Sequence, residues 1–405
     1  RAPKGAAFAV SGYCSGRNPA HGIAARQLIH ELTGKPVTCG HELTSKLDAP
    51  RRALTAALNA RLIPQLQQLI QAVDGLLARK GIKAPLMVVK GDGSLIKAEL
   101  ALTCPVETIL SGPAASLVGA RHLSDENDIF VSDMGGTTTD IAMLREGRPV
   151  LNKDGATVGG WKTMVEAVAV HTYGLGGDSE VRIDDHLGFM VGPRRAVPLS
   201  LLATQFPAIV NALRAQLASE DMVPYRGQFA LRQRPLDAGP SSLSAGQLEL
   251  WDKLAPGPVA LADLLYSPAM QRHLGRLVDR GLVAISGLTP SDAAHVLGLL
   301  SHWHGEAAEL GAKLFLKKPP VGAWKPPASH EQLCHDIIEQ VVRQSGEVIL
   351  DAAIRETSGI DPHHWGQLGR DLIRRSLSAA QPAEALIEAT IRLTAPLAAI
   401  GAPVG

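Results

Sequence analysis

The chain has 405 residues, of which 45% are hydrophobic, and its 40 basic and 39 acidic side chains leave a net charge of +1. This length predicts two or three domains, and the hydrophobic share is large enough for packed cores, which excludes global disorder. The balanced charge gives no indication of binding to nucleic acid or to an anionic membrane.

The cysteines and the apolar runs indicate the compartment. Cys14, Cys39, Cys104 and Cys334 are far apart and lack CxxC spacing, so we expect reduced thiols rather than disulfides or a structural zinc site. No apolar run reaches the length of a membrane span, and no leader sequence opens the chain. We therefore expect a cytoplasmic protein without a membrane partner.

The first eighty residues predict short strands and two helices. A strand is expected at 6–10 and a helix at 23–32, and apolar residues at spacings of three and four predict a long amphipathic helix over 53–80. Pro64 is expected to bend that helix. The Cys-Gly-His-Glu run at 39–42 is interpreted as loop hydrogen bonding rather than as a metal site.

Two further loops follow apolar segments. A buried strand is predicted at 86–89, and the KGDGS loop at 90–94 is either plain turn chemistry or a loop that faces a ligand. Ser111 and Pro113 mark the start of a helix rich in small residues. Its free N–H groups suit an anion, and its small residues equally suit close helix packing.

The central stretch, residues 129–144, predicts a β-hairpin with a polar tip. Between two apolar runs it carries Asp133, Gly135, Gly136, Thr137, Thr138, Thr139 and Asp140. Paired glycines let backbone N–H groups approach a phosphate, threonine hydroxyls add donors, and carboxylates can hold a hydrated Mg²⁺. A tight turn stabilised by the same residues is the simpler alternative.

A second glycine cluster follows within forty residues. A strand is predicted at 165–170, and it delivers His171 into a loop that contains Gly174, Gly176 and Gly177. Such a cluster indicates backbone with unusual φ or backbone that lies against a ligand. His171 is either a functional residue or an interior histidine with satisfied hydrogen bonds.

The rest of the chain is mainly helical. A single helix is predicted over 199–217, and three short helices, a glycine and a strand over 244–286 resemble a winged helix. Four basic and four acidic residues balance there, so we expect a scaffold rather than a DNA reader. Further expectations are a helix starting at 289–291, packing roles for His302 and His304, a proline-rich linker at 317–327, helices at 331–342 and 382–389, a solvent or packing role for His363 and His364, and a buried strand at 397–403.

Taken together, the motifs resemble those of the hydantoinase A/5-oxoprolinase family, which belongs to the actin-like ATPase superfamily. The resemblance rests on SDMGGTTTDIAML at 132–144, ILSGPAAS at 109–116 and VHTYGLGGDSEVRID at 170–184. The segments at 39–59 and 287–298 add weaker support.

The resemblance implies an α/β fold of two ribonuclease-H-like lobes that close over a nucleotide, with a small helical, winged-helix-like insertion. It implies that ATP and Mg²⁺ are bound. The phosphate or nucleotide contacts would be Gly135, Gly136, Thr137, Thr138, Thr139, Gly176, Gly177 and Gly401. Asp133 and Asp140 would hold the metal and act in catalysis with His171, and Asp92 and Glu42 are further candidates for the acyl side.

Two departures from the family pattern stand out. Family members carry a second phosphate hairpin near the amino terminus, whereas this sequence has no second GGT hairpin. Because the chain also begins abruptly at Arg1 and stops on GAPVG, we expect a fragment that lacks the first hairpin; the alternative is a member that does not bind ATP in the usual way. After Pro193, moreover, RRAVPLSLL replaces the family's glycine- and proline-rich segment.

The sequence therefore predicts an ATPase core at 1–200, a helical insertion at 201–286 and a helical return to the ATPase lobe at 287–405. The predicted function is ATP-dependent hydrolysis of a cyclic amide, such as a hydantoin or 5-oxoproline, through phosphorylation of the amide oxygen. A carboxylase subunit that activates a ketone, and a nucleotide-binding regulator without turnover, are the alternatives. A second hydrolase or carboxylase subunit and further copies in an oligomer are the expected protein partners.

Overall fold

The computed structural model describes residues 7–184, 188–220, 225–236, 242–320, 324–359, 366–377 and 390–401. The chain divides into two compact units. Unit 1 comprises Arg1–Asp133, Asp140–His171 and Thr394–Ile400, and unit 2 comprises Met134–Thr139, Thr172–Leu393 and Gly401–Gly405. The helix predicted at 382–389 and the pair His363 and His364 lie outside the described residues.

The helices of the described ranges are α1 (Ala20–Thr33), α2 (Gly40–Leu43), α3 (Ala49–Arg79), α4 (Ala98–Ala101), α5 (Ser111–Ser124), α6 (Leu199–Gln205), α7 (Ala208–Ala218), α8 (Ala245–Lys253), α9 (Leu261–Leu264), α10 (Pro268–Asp279), α11 (Pro290–Val296), α12 (Gly305–Leu316), α13 (His330–Ser358) and α14 (Gly366–Ser376). A 3₁₀ helix occupies Pro105–Thr108. None of the helices in these ranges combines the length and apolar character needed to cross a membrane.

The strands of the described ranges are β1 (Phe8–Val10), β2 (Val37–Cys39), β3 (Met87–Val89), β4 (Leu95–Lys97), β5 (Ile129–Met134), β6 (Thr139–Arg145), β7 (Arg148–Pro149), β8 (Leu151–Asn152), β9 (Thr157–Val158), β10 (Trp161–Lys162), β11 (Ala167–Val168), β12 (Val170–Tyr173), β13 (Ser179–Asp184), β14 (Gly188–Arg195), β15 (Val197–Pro198), β16 (Phe229–Arg232), β17 (Val259–Ala260), β18 (Val283–Gly287) and β19 (Leu397–Ile400).

The predicted central hairpin is present as β5 and β6. These strands are neighbours in a sheet of order β12-β6-β5-β19, with β7 paired to β6. A four-residue connection is too short for a parallel crossover, so the two strands run antiparallel. Strand β19 pairs with β5 in parallel, with Leu397 opposite Phe130. The hairpin's polar turn therefore projects from the end of a strand that has neighbours on both sides.

Helix α5 packs on this sheet in unit 1. Its buried residues Ala114, Leu117 and Ala120 recur every three positions, and they contact alternate residues of β5 such as Ile129 and Val131. A spacing of three is typical of one face of a helix and a spacing of two of one face of a strand, so α5 and β5 contribute one face each to the same core. The packing fixes α5 beside β5, which positions its polar residues near the end of that strand.

Unit 2 combines a sheet of order β15-β18-β16-β17 with helices and with the β13–β14 hairpin. One core cluster joins β13 and β14 to α11, α12 and α13, a second joins α6, α7 and α12, and a third joins α8, α9 and α10 to β18. Trp324, from the predicted linker, is buried in the first cluster against Phe315.

Several predicted elements differ from those observed: the helix predicted at 331–342 continues to Ser358, and the predicted loop at 39–42 includes the short helix α2. The helix expected over 199–217 is two helices, α6 and α7, separated at Phe206 and Pro207. Proline lacks an N–H and disfavours helical backbone in the residue before it, so the break follows from the sequence. Strand β19, expected to be buried, leaves Leu397 exposed, because it is the last strand in the sheet order.

A buried aspartate joins three elements of unit 2. Asp292, in the first turn of α11, is 0% exposed. Its carboxylate accepts hydrogen bonds from the backbone N–H groups of Leu199, Ser200 and Thr289 and from the hydroxyls of Ser200 and Thr289, at 2.6–3.1 Å. Asp292 therefore satisfies the amino-terminal N–H groups of α6 while it closes the capping box of α11.

Candidate functional site

The turn between β5 and β6, residues 135–138, is termed the tip. The Gly135 N–H donates to the Thr138 carbonyl oxygen at 2.9 Å, which closes the turn. The Thr137 side chain is exposed and Thr138 is half-buried. The tip therefore presents threonine hydroxyls at a bonded, ordered turn.

The second glycine cluster, residues 174–178, is termed the glycine loop, and it is bonded directly to the tip within unit 2. The Gly177 N–H donates to the Gly135 carbonyl oxygen at 3.1 Å, and the Asp178 N–H donates to that of Gly136 at 2.7 Å. The buried Thr139 hydroxyl donates to the Leu175 carbonyl oxygen at 2.8 Å. Two glycine-rich segments that the sequence presents separately thus form one backbone-bonded structure.

Glycine is required where these segments meet. A Cβ on Gly176 would lie 2.6 Å from the carbonyl oxygens of Gly135 and Gly136, and a Cβ on Gly136 would lie 2.8 Å from the Asp178 carboxylate. A Cβ on Gly135, by contrast, would meet its nearest atom at an ordinary 3.6 Å. Gly136 and Gly176 thus allow the close approach of the two segments.

An ion pair lies next to the tip. Arg195, on β14, donates from Nε and Nη2 to Oδ2 of Asp178 at 3.3 and 3.1 Å. Asp178 is 7% exposed, whereas the Arg195 side chain is 52% exposed. Burial raises the pKa of Asp178, and the hydrogen bonds and charge of Arg195 oppose that rise.

The two aspartates that bracket the motif lie in unit 1. Asp133, at the end of β5, is half-buried, and its Oδ2 accepts a hydrogen bond from Ser116 of α5 at 2.6 Å. Asp140, on β6, is also half-buried. No cluster of three or more His, Cys, Asp or Glu suited to a metal ion occurs in the ranges described, but Mg²⁺ is commonly held by one or two carboxylates and water.

His171 is not in a loop, contrary to the prediction. It lies within β12, which neighbours β6 in the sheet. The glycine cluster indicated loop backbone, but the strand continues to Tyr173 before the first glycine. His171 is therefore held on a strand next to the one that carries Asp140.

The remaining candidates occupy separate places. In unit 2, a Cβ on Gly401 would lie 2.0 Å from the Met134 carbonyl oxygen, so Gly401 lies directly against the end of β5. In unit 1, Asp92 accepts from the Ser94 N–H and hydroxyl at 2.9 and 2.6 Å, as local turn chemistry predicts. Glu42 accepts from the Cys39 N–H and pairs with Arg26.

Three contributing residues were not singled out from the sequence. Ser116 belongs to a matched motif, but its contact with Asp133 depends on how α5 packs. Asp178 lies in the glycine loop. Arg195 lies seventeen residues after Asp178 in the sequence, shortly after Pro193. A signal was present in the charge pattern, since Asp178 and Glu180 are followed by the adjacent arginines Arg194 and Arg195.

Residues 52–204 match the family described as hydantoinase/oxoprolinase. The caprolactamase subunit alpha of Pseudomonas jessenii is 32% identical over 323 residues, which cover 76% of this chain and 45% of that protein. The acetophenone carboxylase gamma subunit of Aromatoleum aromaticum is 30% identical over 207 residues, which cover 47% of this chain and 27% of that protein. The chain spans less than half the length of these relatives.

The fold has a counterpart among solved structures. The nucleotide-free structure of acetone carboxylase matches 87% of this chain and 40% of its own chain, with a TM-score of 0.52 and 17% sequence identity. This likeness concerns the fold alone and confirms the predicted α/β class. Over residues 52–204 the chain thus belongs to the hydantoinase/oxoprolinase family, as its sequence motifs predicted.

Proposed function

We propose that this chain is part of an ATP-dependent hydrolase that opens a cyclic amide, such as a hydantoin, 5-oxoproline or caprolactam, by phosphorylation of the amide oxygen. The observation that carries the proposal is the tip bonded to the glycine loop, with an exposed threonine and a half-exposed arginine beside it. Family membership and the likeness to the caprolactamase subunit support it.

The geometry divides the predicted nucleotide residues into two groups. The N–H groups of Gly135 and Gly177 and the hydroxyl of Thr139 already bond to protein carbonyl oxygens, and the Gly176 N–H donates to the Ser179 hydroxyl at 3.0 Å. We assign these four residues to holding the two segments together. Gly136, Thr137 and Thr138 are then the residues we propose for phosphate contact.

Mg²⁺ would be held through water by Asp133 and Asp140, where it would neutralise phosphate charge. Ser116 would keep the Asp133 carboxylate in one orientation through the 2.6 Å hydrogen bond. His171, fixed on β12, is the proposed acid or base for the acyl side, and Gly401 is the proposed boundary of the nucleotide site on the β19 side. The finer fold we propose is that of an actin-like ATPase, with a core at 1–200, a winged-helix-like insertion at 201–286 and a helical return at 287–405.

Little covalent chemistry falls to the protein in such a reaction. An amide resists hydrolysis because resonance strengthens its C–N bond, and phosphorylation of the oxygen weakens that bond before water attacks. Phosphoryl transfer itself chiefly needs positioned groups and neutralised charge. A rigid turn with hydroxyls and carboxylates at its ends supplies these requirements.

A carboxylase subunit is the second candidate. The 30% identity to an acetophenone carboxylase subunit favours it, and phosphoryl transfer to a ketone oxygen needs the same groups. Either reaction also fits a second subunit as partner, since the relatives are themselves subunits.

The test measures phosphate release from ATP by the full chain together with any subunit that co-purifies. Lactam-dependent release supports the hydrolase, and release that needs bicarbonate and a ketone supports the carboxylase. Asp133→Asn should lower turnover by about a hundredfold or more, as loss of a charge-stabilising group does in other enzymes. Undiminished turnover in this variant would refute the assignment of Asp133.

A further inference from the structure

The Asp178–Arg195 pair has an arrangement that structural stabilisation alone does not require. The carboxylate is nearly buried, but its cation is half exposed. A guanidinium carries five N–H donors, and this pair uses donors on Nε and Nη2. Among the residues that the structure describes, the group therefore retains donors for an anion while one side of it is fixed.

Two arginines meet two carboxylates where the pairing of β13 and β14 is irregular. Asp178 is the residue before β13, and Glu180 is the second residue of that strand. Arg194 and Arg195 are consecutive and would point to opposite faces in a regular strand. The register shifts between Ser179 and Val181, whose partners are Arg195 and Val191. A bulge of this kind re-aims side chains.

The two carboxylates have different neighbours. Arg194 is 71% exposed and pairs with Glu180 at 2.7 Å, and Glu180 also accepts from Gln228 at 3.1 Å. Asp178, by contrast, donates its N–H to Gly136, and its Oδ2 lies 2.8 Å from the position of a Gly136 Cβ. The oxygen that holds Arg195 is thus the one that contacts the tip.

We propose that Arg195, oriented by Asp178, binds the phosphate chain of the nucleotide at the tip. The inference rests on the proposed function, because it identifies the cation of the same site. Arginine suits this task, since its planar fork binds a carboxylate and a phosphate at the same time. Asp178 acts as the positioning residue.

The experiment compares wild-type protein with Arg195→Gln, Arg194→Gln and the double variant Asp178→Asn/Arg195→Gln. The double variant removes the buried charge together with its partner, so it avoids leaving an unpaired carboxylate in the interior. Arg194→Gln is the matched control, since it removes a neighbouring cation that also pairs with a buried carboxylate. Calorimetry measures the affinity of the full chain for MgATP and for tripolyphosphate at low and high salt.

We expect Arg195→Gln and the double variant to weaken both ligands about tenfold or more, as loss of a charged hydrogen bond does. Their affinity should also depend less on salt, because a cation has been removed. Arg194→Gln should stay within about twofold of wild type. Equal weakening by Arg194→Gln would overturn the proposal, since general surface charge would then explain the effect.

Other outcomes separate this proposal from the proposed function. If wild-type protein binds MgATP and the Arg195 variants bind it equally well, the role of Arg195 is refuted and nucleotide binding stands. If only tripolyphosphate binds, and does so through Arg195, the anion site is supported and the ATP-dependent function is refuted. If neither ligand binds wild-type protein, both proposals fail.

Discussion

Two buried aspartates of unit 2, Asp292 and Asp178, differ in the partners of their carboxylates, and this difference distinguishes a structural role from a ligand-binding role. Asp292 is 0% exposed, and its carboxylate accepts five hydrogen bonds from backbone N–H groups and hydroxyls. Asp178 is 7% exposed and holds a single arginine that is half exposed. The first carboxylate is saturated by the fold, whereas the second holds a cation with unused donors beside a glycine-rich turn.

The difference follows from how each group offsets the cost of burial. Burial raises the pKa of both carboxyls, because removal from water disfavours the charged form. For Asp292 the compensation comes from neutral donors at helix starts, so it serves folding. For Asp178 the compensation comes from the guanidinium of Arg195, which is exposed to water. A ligand can therefore bind the same guanidinium.

The largest expected effect is on Asp292. Asp292→Ala leaves buried N–H groups and hydroxyls without an acceptor, so the free energy of unfolding should fall by about 3–5 kcal/mol. Urea denaturation measures this value. Asp263→Ala, at an exposed position in the first turn of α9, is the control and should change stability by less than about 1 kcal/mol. A similar effect of both variants would contradict the structural role of Asp292.

The second prediction breaks the contact on the Asp178 side. A methyl group on Gly176 meets two carbonyl oxygens at 2.6 Å, so Gly176→Ala should force the glycine loop from the tip and cost about 1–3 kcal/mol. Thermal unfolding gives the change. Gly135→Ala should stay within about 1 kcal/mol of wild type, because its Cβ meets its nearest atom at 3.6 Å.

The third prediction uses pH. Because the pKa of Asp178 is higher in the folded chain than the unfolded value of about 3.9, the folded state keeps this proton where the unfolded state has lost it. The resulting stabilisation of the folded state is complete below the unfolded pKa of about 3.9, and it is lost as pH rises through the raised pKa of the folded chain. Asp178→Asn cannot ionise, so its stability should fall less over this range in urea titrations at several pH values. Parallel curves for the two proteins would argue against the raised pKa.

The smallest effect is expected in unit 1. Ser116→Ala removes the hydrogen bond to Asp133 and should cost about 1 kcal/mol of stability. If Asp133 holds Mg²⁺, affinity for MgATP should also fall a few-fold by calorimetry, as loss of an orienting partner weakens metal sites. Ser124→Ala, at the exposed end of the same helix, should leave that affinity unchanged.

The sequence predicts the local features of this molecule well. The hairpin of β5 and β6 follows from apolar runs around two glycines. Helix α11 begins at Pro290, because Thr289 and Asp292, three positions apart, form its capping box. The split between α6 and α7 was also encoded locally, by Pro207, but the apolar spacing on either side masked it.

Contacts between distant segments could not be predicted in this way. Thr139 and Leu175 are 36 residues apart, and nothing in either segment specifies that one hydroxyl bonds the other's carbonyl oxygen. Thr139 has the residue type expected of a phosphate contact, and its buried hydroxyl donates to a carbonyl oxygen within the protein. The pairing of Arg195 with Asp178 likewise depends on a register shift that appears only once β13 and β14 are paired.

Gly401 lies where a side chain of any size would occupy the space of the Met134 carbonyl group, and its φ of +117° suits glycine alone. Saturation mutagenesis should therefore find this position as intolerant as a catalytic one, although glycine offers no reactive group. Intolerance to substitution at Gly401 will therefore reflect the conformation of the main chain. Chemical rescue or ligand titration at neighbouring positions is needed to identify residues that take part in the reaction.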